Sequence, residues 1–98
     1  MAYDNRLKDP GLDKLFEAVL SLKNPDECYR FFEDICTVAE LKAMAQRLEV
    51  AKMLEADLTY GEIAEKTGAS TATISRVKRC LNFGADGYKL VLERLKKK

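Results

Sequence analysis

Residues 60–79 of this chain read YGEIAEKTGASTATISRVKR. In the frame of a twenty-residue helix-turn-helix, the small Ala64 is at the fifth position, where the two helices cross closely, and Gly68 is at the ninth, where the turn favours a positive φ. The positions that face the rest of the domain in this frame are Ile63, Thr67, Ala69, Ile74 and Val77. The stretch therefore predicts two helices joined by a glycine turn.

The second of these helices has a face of small and cationic side chains. Its outward positions are Thr71, Ala72, Ser75, Arg76 and Arg79. Small side chains near the helix N-terminus allow close approach to base edges, and arginines further along can contact guanine or phosphate. Hydroxyl groups at the helix N-terminus can also donate to phosphates. The residues predicted to contact double-stranded DNA are Ser70, Thr71, Ala72, Thr73, Ser75, Arg76, Lys78 and Arg79.

Helix signals continue outward from this stretch in both directions. Asn24 before a proline, and the pairs Thr37–Glu40 and Thr59–Glu62, are typical of helix starts. Apolar residues at helical spacing predict helices over roughly 11–22, from 25, from 37 and after 86. The sequence predicts an all-α fold of six short helices in a single domain, 1–98, with dimerisation helices in 1–58, the helix-turn-helix in 60–79 and a C-terminal helix in 86–98.

Six amphipathic helices leave a packing problem in a chain of 98 residues, because so short a chain has little interior. We expect part of the apolar surface, most of it in the N-terminal half, to be buried in a homodimer. The charges agree with this division: residues 1–58 hold 8 Lys and Arg against 12 Asp and Glu, and residues 59–98 hold 9 against 4. An acidic half would then self-associate while a basic half meets a polyanion.

The composition excludes several classes of function. The chain has no histidine, which removes histidine-based catalytic triads and histidine-ligated zinc. Its cysteines, Cys28, Cys36 and Cys80, have no CxxC spacing, and no glycine-rich phosphate loop is present. We therefore expect no catalytic residue, no metal site and no enzyme. No apolar run reaches the ~20 residues of a membrane span and no targeting segment is recognisable, which predicts a cytoplasmic protein without a membrane partner.

Residues 68–76, GASTATISR, resemble the reader region of the Trp repressor-like superfamily. Nearly the whole chain resembles the YerC/YecD group of that superfamily. The resemblance implies an intertwined all-α homodimer whose two reader heads project outward. It also implies a DNA-binding regulator, a repressor, that addresses successive major grooves about 34–36 Å apart on a roughly palindromic operator.

The resemblance also implies a possible ligand site. In the repressor, the counterparts of Thr37, Arg47 and Arg76 help to hold tryptophan, with the indole between the two guanidinium groups. Two other positions depart from the repressor, which has a glycine where this chain has Val77 and a serine where it has Cys80. A β-branched side chain would crowd the ring and a thiol is a poor partner for an ammonium group. No cofactor is predicted, and tryptophan is not expected as the effector.

Three functions stay open on the sequence. The leading one is a sequence-specific DNA-binding regulator. The second is a repressor gated by an unknown small aromatic or amino-acid carboxylate, and the third is a protein-interaction module with a vestigial helix-turn-helix. Gly61 stands where the repressor has an arginine that reaches a guanine, so the operator of the repressor is not expected to transfer to this chain.

Overall fold

The computed structural model describes residues 7–97. Its six α-helices are α1 Pro10–Leu20, α2 Pro25–Ile35, α3 Val38–Glu55, α4 Tyr60–Thr67, α5 Thr71–Phe83 and α6 Gly87–Lys96. Residues 7–97 contain no strand, and the prediction of an all-α fold with six helices is confirmed. No helix in this part of the chain is long and apolar enough to cross a membrane.

Helix α1 begins and ends slightly earlier than its apolar pattern predicts. The Asp9 carboxylate accepts a backbone N–H of the first turn, and Pro10 fits the first helical position because its missing N–H is not needed there. At the other end, the Ser21 hydroxyl donates to the Ala18 carbonyl over 2.6 Å and the helix ends at Leu20. The capping side chains, rather than the apolar stripe, therefore set both ends of α1.

The caps predicted for the next helices are confirmed. Asn24 caps α2, and the pairs Thr37–Glu40 and Thr59–Glu62 each exchange two hydrogen bonds of 2.8 to 3.2 Å. The backbone N–H of Thr59, together with its hydroxyl, holds the pKa of Glu62 below its ordinary value. A lowered pKa means that this cap stabilises the fold fully above the ordinary pKa, and that its contribution is lost as the pH falls through the lowered value.

The chain divides into two compact units, Met1–Leu41 and Lys42–Lys98, called here the N-terminal and C-terminal units. The buried residues of the described chain all lie in the C-terminal unit and are Val50, Ala51, Ile63, Ala69, Ile74, Val77, Leu81 and Leu92. Helix α5 supplies three of them and packs against α4 and α6. The C-terminal unit therefore has its own apolar core, built around α5.

Helix α3 has apolar residues on more than one side. The sequence pattern predicts a single apolar stripe that runs from Leu41 to Leu54. Its second half agrees with the structure, since Ala51 is buried and Leu54 packs against the core. Its first half does not, because Met44 and Leu48 are exposed. The helical period identifies the apolar positions, but it does not say which of them this chain covers by itself.

Candidate nucleic-acid interface

The turn between α4 and α5 is short and tightly bonded. Gly68 has φ +75°, a conformation that favours glycine, and its N–H donates to the Ala64 carbonyl over 2.8 Å. Ser70 then begins α5, because its hydroxyl oxygen accepts the backbone N–H of Thr73 over 3.1 Å. The turn is only three residues long, and it fixes where α5 leaves α4.

The inner side of this helix pair agrees with the prediction from the sequence. Of the five predicted inward residues, Thr67 is half-buried. The other four are buried and are Ile63, Ala69, Ile74 and Val77. We call α5 the reader helix. Because Ile74, Val77 and Leu81 are held in the core, one side of this helix is fixed and the opposite side faces solvent.

The solvent side of the reader helix has the residues that the sequence predicts. We call it the outer face, and its members are Thr71, Ala72, Ser75, Arg76 and Arg79, all exposed. The helix has no acidic residue. The one ion pair within residues 7–97 joins Lys8 to Asp13, so no carboxylate neutralises the arginines of the outer face. A small surface next to free guanidinium groups suits a polyanion whose base edges must be approached closely.

The remaining predicted DNA contacts have partners within the protein. The Ser70 hydroxyl donates to the Thr73 hydroxyl over 3.1 Å while it caps the helix, and Thr73 is half-buried. The Lys78 ammonium lies over the Tyr60 ring, 5.7 Å from its centroid, on the side of the start of α4. The structure thus brings five of the eight candidates together on the outer face and places Ser70, Thr73 and Lys78 beside it.

Two aromatic residues near the reader helix differ in environment. The sequence predicts that both Tyr60 and Phe83 pack against other residues of the protein and do not stack on bases. Tyr60 is half-buried and packs against the core, as predicted. Phe83 is 85% exposed at the end of the reader helix, so the prediction is wrong for this residue within one chain: position 83 follows the outer face and not the buried one.

The predicted ligand residues lie on three elements. Thr37 precedes α3 and its hydroxyl is engaged in the helix cap, Arg47 is half-buried on α3, and Arg76 is exposed on the reader helix. Val77 is 1% exposed, so its side chain fills the core of the C-terminal unit. Cys80 is exposed. The described residues include no group of three or more His, Cys, Asp or Glu side chains that could hold a metal ion.

The N-terminal unit has a second candidate surface. None of its described residues, 7–41, is buried, and Leu20 and Tyr29 are 84% and 70% exposed. On α2, an almost wholly apolar cavity of about 460 Å³ is lined by Pro25, Cys28, Tyr29, Phe32 and Leu41. An exposed apolar surface of this kind marks a site of protein association more often than a free surface.

Comparisons with known proteins agree over nearly the whole chain. The family model described as "Trp repressor protein" matches residues 10–96. The chain is 58% identical over 92 residues to the uncharacterized protein YerC of Bacillus subtilis (strain 168). This alignment covers 94% of this chain and 88% of YerC. It is 33% identical over 89 residues to a Trp operon repressor homolog of Chlamydia caviae, and this alignment covers 90% of this chain and 88% of the homolog. The crystal structure of a TrpR-like protein from Eubacterium eligens superposes with a TM-score of 0.90, at 60% identity, over 95% of this chain and 96% of that one.

Proposed function

Because this chain belongs to the Trp repressor family, we propose that it regulates transcription by sequence-specific binding to double-stranded DNA, and that it acts as a repressor. The observation that carries the proposal is the outer face: Arg76 and Arg79 are exposed beside small side chains on a helix without acidic residues, and the opposite side of that helix is anchored in a core. A rigid helix with one free cationic side can enter a major groove without rearrangement.

The residues of the reader helix have different roles in this proposal. Thr71, Ala72 and Ser75 permit close approach to base edges, and the two arginines contact guanine or phosphate. Ser70 and Thr73 lie at the N-terminus of the helix, where backbone N–H groups favour a phosphate. Lys78, held over Tyr60, adds positive charge at the flank of the helix. Base contacts then give specificity, while phosphate contacts give most of the affinity.

We propose further that the protein acts as an intertwined homodimer, joined through the dimerisation helices of residues 1–58. The supporting observation is that no described residue of 7–41 is buried in one chain, although α1 and α2 both have apolar residues at helical spacing. Within the C-terminal unit, Met44 and Leu48 of α3 are exposed apolar residues as well. Two reader helices in one dimer would favour a palindromic operator with half-sites about one helical turn apart.

The proposal is one of binding and not of catalysis, in the cytoplasm and without a membrane partner. It includes no cofactor. It also includes no tryptophan effector, because this chain has the β-branched Val77 where the repressor has glycine and the thiol of Cys80 where the repressor has serine. The operator is expected to differ from that of the repressor. A Cβ at Gly61 would meet only the Thr59 hydroxyl, at 4.0 Å, so this exposed position has room for a side chain but supplies none.

Selection from a library of random duplexes tests DNA binding. We expect a palindromic sequence to be enriched, and we expect its affinity to fall steeply with salt, because each neutralised phosphate adds about −0.9 to the slope of log K against log salt concentration. Arg79→Ala should raise the Kd for that duplex roughly fivefold or more, since a good guanidinium contact to a base contributes ~1–3 kcal/mol. Fluorescence anisotropy titrations at several salt concentrations measure both the Kd of each variant and the slope of log K against log salt concentration.

The matched control for this experiment is Lys14→Ala, which removes one positive charge from an exposed position of α1. We expect it to change the Kd by less than about twofold, because Lys14 is not part of the outer face, and an exposed charge that does not contact the DNA is largely screened at moderate salt. Failure to enrich any duplex, or a salt slope near zero, would contradict the proposed function and favour a protein-interaction module. If the two substitutions change the Kd equally, the outer face is not the DNA-contacting surface, although the proposal of DNA binding itself would stand.

Sedimentation velocity tests the homodimer. At tens of micromolar the mass should be twice the 11.1 kDa of one chain, and Leu20→Asp should return it to the mass of one chain, because a buried carboxylate without a partner costs several kcal/mol. Phe83→Asp, at a residue exposed to the same extent in one chain, should leave the dimer intact. A wild-type mass of 11 kDa would contradict the dimer.

A further inference from the structure

One contact ties α3 to the turn that precedes the reader helix. The Gln46 side-chain amide donates to the Thr67 carbonyl over 3.1 Å, and both residues are half-buried. In the described part of the chain, every other hydrogen bond made by a side chain joins residues five or fewer positions apart. The Gln46 contact spans 21 positions, so it is the one directional side-chain link of this kind between distant parts of that chain.

Thr67 is also hydrogen-bonded to the turn between α4 and α5. It is the last residue of α4, where a helix leaves its carbonyl groups without intrahelical partners, and Gln46 supplies the missing donor. The Thr67 hydroxyl donates to the Ile63 carbonyl over 2.7 Å and accepts the backbone N–H of Ala69 over 3.1 Å. Three hydrogen bonds therefore connect α3, the end of α4 and the residue just before the Ser70 cap.

Helix α3 also contributes apolar residues to the core of this region. Val50 and Ala51 lie in the same core as the buried residues of the reader helix. Apolar burial is strong but non-directional, whereas a hydrogen bond weakens steeply when its angle falls below ~120°. The core therefore holds the helix pair against α3, while the contact from Gln46 to Thr67 restricts how the pair can slide or rotate on it.

We propose that Gln46 is a positioning residue that sets the orientation of the reader helix on α3, and that it acts through Thr67 without touching DNA. The inference rests on the proposed function, since orientation matters only when the outer face must match a groove. It gives α3 a role that the sequence does not reveal, because Gln46 lies next to Arg47 but belongs to no local motif.

Two substitutions test this role. Gln46→Met keeps the length of the side chain and removes the donor, and it should raise the Kd for the enriched duplex roughly 3- to 10-fold, the equivalent of one net hydrogen bond. Gln46→Glu places a carboxylate against a carbonyl at pH 7.5 and should weaken binding at least as much. At pH 4.5, close to the ordinary pKa of glutamate, a large fraction of this side chain is protonated and can donate to Thr67, so affinity relative to wild type at the same pH should recover in part. A role in packing alone predicts no such recovery.

Amide hydrogen exchange of the free protein provides a readout that does not need DNA. Gln46→Met should speed exchange at Gly68 and Ala69 roughly 3- to 10-fold and leave Val77 unchanged, because only the turn loses its link. Glu49→Met is the matched control, since Glu49 is exposed on α3 and its side chain makes no hydrogen bond in the described chain. It should change neither exchange nor affinity.

The outcomes separate the two levels of the proposal. If wild type binds no duplex, the proposed function fails, and the inference about Gln46 fails with it. If wild type binds but Gln46→Met leaves the Kd unchanged, Gln46 does not position the reader helix, whatever the exchange data show. The same holds if the Kd rises but exchange speeds equally at Val77, which would indicate a general loss of stability, or if Gln46→Glu shows no recovery at pH 4.5.

Discussion

Ile74→Ala should lower the free energy of unfolding by about 2–5 kcal/mol, the usual cost of truncating a buried isoleucine. Ile74 has no exposed surface, and it lies in the reader helix where α5 contributes to the core of the C-terminal unit. The cost combines the apolar burial that is lost with the cavity that remains. Because the removed atoms are the ones that anchor the reader helix, we also expect weaker DNA binding at temperatures where most of the protein is still folded.

Ile74→Val provides the graded control, because it removes a single methylene from the same place. We expect it to cost only ~0.5–1.5 kcal/mol. Urea denaturation followed by circular dichroism measures both changes, and the protein concentration must be the same throughout because the stability of a dimer depends on it. A cost below 1 kcal/mol for Ile74→Ala would mean that the reader helix is not anchored through this residue.

Gly84→Ala should destabilise the fold by ~1–3 kcal/mol, the range for forcing extra atoms into a packed site. Gly84 ends α5, and its N–H donates to the Cys80 carbonyl over 2.9 Å. A Cβ at this position would overlap that same carbonyl oxygen. Since the obstacle is backbone and not a flexible side chain, the end of the reader helix would have to move.

Gly87 offers a matched control three positions after Gly84, at the first residue of α6. A Cβ there would meet nothing within 4 Å, and its φ is not in the left-handed region. Gly87→Ala should therefore leave stability unchanged or raise it by ~0.4–1 kcal/mol. Thermal denaturation of both variants measures the difference in stability between them. Equal melting temperatures would show that the end of α5 has room for a Cβ at Gly84.

The reader region agrees with its sequence pattern where the interactions are local. The glycine turn and the inward positions of residues 60–79 agree with the structure, and the family recognised from residues 68–76 is confirmed by a match over residues 10–96. The eight residues that the sequence predicts to contact DNA stay predictions. The structure shows only that five of them share one exposed face, and that Lys78 lies over Tyr60.

Two features could not be predicted from any local pattern. Gln46 has no motif around it, and its partner Thr67 is distant in the sequence, so only the folded chain brings the amide to the carbonyl. The apolar stripe of α3 is regular in the sequence, but Met44 and Leu48 remain exposed while Ala51 is buried. Helical periodicity identifies the apolar positions along one helix. It does not predict which neighbouring residue, if any, packs against each of them.

Local sequence patterns were enough to predict six helices, the caps of α2, α3 and α4, the glycine turn and the family. The physical reason is that capping hydrogen bonds, proline and glycine conformations and helical periodicity all act within a few residues of one another. The folded chain was needed to show that Met44 and Leu48 are exposed, that no carboxylate pairs with the arginines of the outer face in residues 7–97, and that Gln46 ties the reader helix to α3. These depend on contacts between residues far apart in the chain, and their geometry exists only after the helices have packed.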